Sequence, residues 1–74
     1  MTKTEKTKCC RFAQFIIKSK LGFVPSIDQI ILLEAGITDK TIDNVFFRVG
    51  AQHYRVSRQA LEFTDKSGFI LFQI

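Results

Sequence analysis

The architecture depends on the run Ser26-Ile27-Asp28-Gln29-Ile30-Ile31-Leu32-Leu33-Glu34-Ala35-Gly36-Ile37-Thr38-Asp39-Lys40-Thr41-Ile42-Asp43-Asn44-Val45-Phe46-Phe47-Arg48-Val49-Gly50. Ser26 follows Pro25 and has Gln29 three residues on, the pattern of a capping box at a helix start. Ile27, Ile30, Ile31, Leu32 and Leu33 give that helix an apolar face wide enough for two neighbours. Gly36 stands where a left-handed residue ends a helix. Thr38 offers a second N-cap, and Ile42, Val45, Phe46 and Val49 recur at helical spacing up to Gly50. The run therefore reads as helix, glycine turn, helix.

On the N-terminal side, residues 1–8 interleave Thr and Lys and read as a mobile basic arm. Cys9, Phe12, Ala13, Ile16 and Ile17 mark one face of a helix from about Cys9 to Lys20, which Gly22 and Pro25 end. After Gly50 the pattern changes. His53-Tyr54-Arg55-Val56 reads as a strand, and Leu61-Glu62-Phe63-Thr64 alternates. Asp65-Lys66-Ser67-Gly68 makes a turn, and Phe69–Ile74 forms a second apolar run. A β-hairpin over 61–74 is the simplest account. A short helix capped by Ser57 and covering Arg58–Phe63 competes for part of it. The expected fold is α+β: a three-helix N-terminal part, then a C-terminal hairpin, in one domain spanning 9–74.

Composition supports a folded chain. Of the 74 residues 46% are hydrophobic, with eight Phe, enough for one core but not for a second domain. Cys9 and Cys10 are adjacent, and a bridge between neighbours closes almost no loop. A reducing, cytoplasmic location is expected. Phe12–Ile17 is too short and too closely followed by Lys18 and Lys20 for a signal peptide or a membrane span.

The net charge of +4 is unevenly spread. Residues 1–20 hold Lys3, Lys6, Lys8, Arg11, Lys18 and Lys20 against Glu5, a net +5. Residues 21–47 hold Lys40 against Asp28, Glu34, Asp39 and Asp43, a net −3. Residues 48–74 hold Arg48, Arg55, Arg58 and Lys66 against Glu62 and Asp65, a net +2. Such asymmetry fits a polyanion gripped at both ends, and equally an ordinary solvated surface.

A DNA-reading helix-turn-helix needs a tight turn, an apolar plug behind it, and a second helix with one free face. Gly36, Ile37 and the Thr38–Val49 segment supply these parts. The stretch thus resembles the helix-turn-helix family. Val49-Gly50-Ala51-Gln52-His53-Tyr54-Arg55-Val56-Ser57-Arg58-Gln59-Ala60-Leu61-Glu62-Phe63 is similar to the wing and following segment of small excisionase-type winged-helix proteins. The resemblance covers residues 24–63. It implies a transcriptional regulator or recombination accessory factor of a mobile element, bound to double-stranded DNA. Thr38, Lys40, Thr41, Asn44 and Arg48 would face the major groove. Gln52, His53, Arg55 and Arg58 would contact backbone from the wing, and Lys3, Lys6 and Lys8 would add affinity that ignores sequence.

The competing reading is a plain helical hairpin in a protein-binding module, such as a phage- or plasmid-encoded inhibitor. That module would dock through its apolar last strand, and Asp39 and Asp43 beside Lys40 favour it. RNA binding is a third option, set back because the Phe residues read as core. Phe69, Ile70, Leu71, Phe72 and Ile74 form so unbroken an apolar strand that pairing with a second copy is expected, giving a homodimer. A central place in a small sheet would also cover it. With one His and two Cys, no metal site is expected. The four glycines form no phosphate loop, and no nucleophile–base pairing is visible. No catalytic residue and no cofactor is expected.

Overall fold

The computed structural model describes Met1–Ile74. Helix α1 spans Lys3–Leu21 and is followed by a single 3-10 turn, Ile27–Gln29. Five strands follow: β1 Ile30–Thr38, β2 Thr41–Val49, β3 Gln52–Ser57, β4 Leu61–Thr64 and β5 Ile70–Gln73. All neighbours pair antiparallel in the order β1-β2-β3-β4-β5, so the sheet is a meander with α1 laid across one face. One helix and five strands replace the expected three helices and hairpin, and the helix-turn-helix is not formed.

The correction has a local cause at each point. The capping motif at Ser26 exists: Gln29 Oε1 accepts from the Ser26 amide at 2.9 Å. It closes only one 3-10 turn, because Ile30-Ile31-Leu32-Leu33 continues as β1. Gly36 ends no helix. It lies within β1 opposite Asn44, where an added Cβ would come within 2.7 Å of Asn44 Nδ2. The reversal falls instead at Asp39 and Lys40, whose φ angles of 49° and 64° make a two-residue hairpin turn. Six of the nine residues of β2 (Thr41, Ile42, Val45, Phe46, Phe47 and Val49) are β-branched or aromatic, the types a pleated surface favours. Across 61–74, β4 and β5 do pair, with Asp65 Oδ1 accepting from the Ser67 and Phe69 amides at 2.9 Å each.

The start of α1 is also earlier than the sequence suggests. Thr2 caps it, with Thr2 and Glu5 exchanging side-chain bonds to each other's amides at 3.0 and 3.1 Å. Residues 3–8, expected as an arm, are therefore its first turns. Gly22, with φ 83°, ends the helix in the left-handed region, as that residue type allows.

The core lies between α1 and the sheet. Cys9, Ala13 and Ile17 of the helix meet Val45, Phe47, Val56 and Leu61, all fully buried, with Cys10, Ile16, Ile30 and Tyr54 nearly so. The small Cys9, Cys10 and Ala13 let the helix sit close to the strands. Burial pushes both thiols up from the ordinary cysteine range, so they stay protonated and act as small apolar side chains. An aromatic ladder crosses the same face: Phe47–Tyr54, Tyr54–Phe63 and Phe63–Phe72 ring centres are 5.3, 5.2 and 5.9 Å apart. α1 packs over β1 to β4, and the ladder ends on β5 in a Phe72 that is 62% exposed.

Candidate nucleic-acid interface

The residues expected to grip DNA fall into three places. Lys3, Lys6 and Lys8 are exposed on α1. Thr38, Lys40 and Thr41 sit at the exposed tip of the β1–β2 hairpin. Asn44 and Arg48 lie on β2, Gln52, His53 and Arg55 on β3, and Arg58 between β3 and β4. Because side chains alternate along a strand, the partners of Phe47, Tyr54 and Phe63 face the helix and their neighbours face away. Asn44, Arg48, His53 and Arg55 therefore share the sheet face opposite α1. No recognition helix carries Thr38, Lys40, Thr41, Asn44 and Arg48, and no wing carries Gln52, His53, Arg55 and Arg58.

The opposite face has a small cluster of its own. Phe46 is 8% exposed there, beneath the Arg55 guanidinium at 4.9 Å from its ring centre and beside His53 at 6.0 Å. Arg55 donates to Asn44 Oδ1 at 3.2 Å, and Arg48 donates to the Gly50 carbonyl at 2.8 Å. The β4–β5 loop closes over this cluster, with Gly68 next to Arg55 and Phe46. Two of the three basic groups expected to contact DNA from this region are thus committed to holding Phe46 and a turn in place. An arginine stacked on a ring and bonded to an amide is less available to a phosphate.

Helix α1 is different. Its exposed stripe, Thr4, Lys8, Arg11, Phe15 and Lys18, lies opposite the Cys9–Ala13–Ile17 seam at steps of four and three residues. Lys3 lies to the side of the stripe, whereas Lys6 and Lys20, though exposed, lie near the azimuth of the core seam at its two ends: Lys6 lines a hollow with Cys10, Ile27 and Ile30, and Lys20 reaches the Gln59 carbonyl at 3.5 Å. Six basic side chains stand on this one helix against Glu5, a net +5 over 3–21, while residues 22–74 carry five basic and six acidic groups, a net −1. The whole positive excess of the protein is on α1. Arg11, Phe15 and Lys18 were not among the expected site residues. The signal was present in the charge count of residues 1–20, but division into an arm and a core helix hid that they form one surface.

No three His, Cys, Asp or Glu side chains come together as a metal site. No helix is long and apolar enough to cross a membrane. Comparison with protein-family models, with curated proteins and with solved structures finds no match.

Proposed function

We propose that this protein binds double-stranded DNA through the exposed face of α1. The observation that carries the reading is the confinement of all net positive charge to one solvent-facing helix. An α-helix fits the major groove in width, and rows of Lys and Arg at helical spacing displace the counterions condensed on phosphates. Lys8, Arg11 and Lys18 on the stripe, with Lys3 at its side, are the phosphate-contacting groups, and Phe15 (69% exposed) lies among them to meet sugar or a thymine methyl. The role is that of a regulatory or accessory DNA-binding protein without catalysis. A cytoplasmic site of action fits two free cysteines kept as thiols.

The test is fluorescence anisotropy with a labelled duplex over a salt series. Affinity falls as a power of salt concentration, and each phosphate-contacting residue lost lowers the slope by about 0.9. Lys8→Gln, Arg11→Gln and Lys18→Gln together should flatten the dependence, whereas Arg48→Gln with Arg55→Gln should leave it alone. Binding that ignores salt, or that responds only to the second pair, removes α1 as the DNA surface.

A second reading, a protein-binding module docking through β5, draws on one observation: Phe69, Ile70, Leu71, Phe72 and Ile74 are all 43–76% exposed.

A further inference from the structure

We infer that β5 pairs with β5 of a second copy, joining two sheets into one of ten strands around a twofold axis through Phe72. This pairing is independent of DNA binding, and a protein with no affinity for DNA would form it equally. β5 has a strand on one side only, and every residue from Ile70 to Gln73 is exposed. Ile74 exchanges both backbone bonds with Leu61, at 2.9 and 3.5 Å, and Phe72 stands opposite Phe63 in the same register. By the alternation of an antiparallel ladder, the amides and carbonyls of Phe72 and Ile74 point to β4, while those of Gln73 and Leu71 point to the open side. Left unpaired, such an edge next to apolar side chains invites another strand.

Three features select a second copy as the occupant. First, Phe69–Ile74 carries no charged side chain, so two copies meet without side-chain repulsion, whereas β1, the other edge, holds Glu34. Second, a register centred on Phe72 sets Leu71 of one copy opposite Gln73 of the other, twice, so the open-side groups are satisfied reciprocally. Third, the same register places the two Phe72 rings against each other. The ladder Phe47–Tyr54–Phe63–Phe72 then runs without a break into its symmetry mate, covering the ring that α1 leaves bare. The extra residue at Ile70–Leu71, where the β4–β5 register shifts, bends the start of the strand and confines the pairing to its latter half. The apolar side chains of that half, Leu71, Phe72 and Ile74, are 68%, 62% and 43% exposed, so the contact is small and the dimer is reversible and concentration-dependent.

Sedimentation equilibrium of the full chain across micromolar concentrations, without DNA, should give a monomer–dimer equilibrium with twice the 8.5 kDa chain mass as its upper limit. Phe72→Lys sets like charges face to face on the axis and should weaken the dimer at least tenfold. If that variant unfolds, Gln73→Pro serves instead, since it deletes only an amide on the open side. Oxidation should cross-link Phe72→Cys readily, because a non-hydrogen-bonded pair has the spacing of a disulfide, and should leave Leu71→Cys and Ile70→Cys largely uncoupled. Cys9 and Cys10 are buried and stay silent. A chain that remains monomeric, that assembles without limit, or that cross-links best at another of these positions overturns the proposal.

Discussion

Ala13 and its neighbours Cys9 and Cys10 set the height of α1 above the sheet, and their size is the most exacting demand the core makes. Ala13 is fully buried against the cluster of Val45, Phe47, Val56 and Leu61. Ala13→Leu inserts three carbons where no space exists and should cost about 1–3 kcal/mol in urea denaturation. The thiols give a second test. Their folded-state pKa values are raised by burial, so the unfolded chain ionises first as pH rises. Their contribution is complete below the ordinary thiol range near 9 and is lost as pH climbs above it toward the raised folded values. The urea midpoint should fall between pH 8 and pH 10, and less steeply in a Cys9→Ala, Cys10→Ala variant. A midpoint indifferent to pH would mean the thiols are not desolvated. The sequence did disclose this seam: Cys9, Ala13, Ile16 and Ile17 were expected on one helical face, and they are. It did not disclose Gly36, whose absent side chain leaves room for Asn44 instead of permitting a left-handed turn.

At the scale of elements, the division between legible and illegible follows β-branching and burial on two sides. α1 was readable because its apolar residues obey a single period, and the pairing of β4 with β5 because Asp65-Lys66-Ser67-Gly68 signals a turn between two apolar segments. β1 and β2 were not. Val45, Phe47 and Val49 alternate toward the helix, but Phe46 is buried on the other face under Arg55, and the combined set mimics helical spacing. Ile30–Leu33 is a continuous apolar run, which cannot be assigned by period alone. The β1–β2 turn was concealed because Asp39 and Lys40 hold positive φ angles usually left to Asn and Gly. Asp39→Asn with Lys40→Gly should therefore relieve left-handed strain by more than glycine's added unfolded-state freedom costs, a net gain of up to about 1 kcal/mol visible as a higher melting temperature. An unchanged or lower value would show that Thr38 donating to Asp43 at 2.6 Å already fixes the turn.

For the whole molecule, the segregation of charge and apolar surface is the organising fact, and only half of it could be read in advance. Basic residues at the N-terminus and an apolar strand near Ile74 were evident from the chain; their positions relative to each other depend on a meander that brings β5 to an edge. If β5 is a dimer seam, the melting temperature should climb with protein concentration, and Phe72→Lys should abolish that climb. A melting temperature independent of concentration in the parent chain would speak against the seam. Antiparallel joining of two edges would also set both copies of α1 on the same side of the sheet, so if α1 binds DNA as proposed, the charge-neutral Gln73→Pro should lower DNA affinity although Gln73 touches no phosphate. One consequence of the tight Cys9–Cys10–Ala13 seat remains. A helix seated on side chains this small and this buried keeps its outer face at a fixed height, and a partner meeting a face already in place would have little ordering to offset.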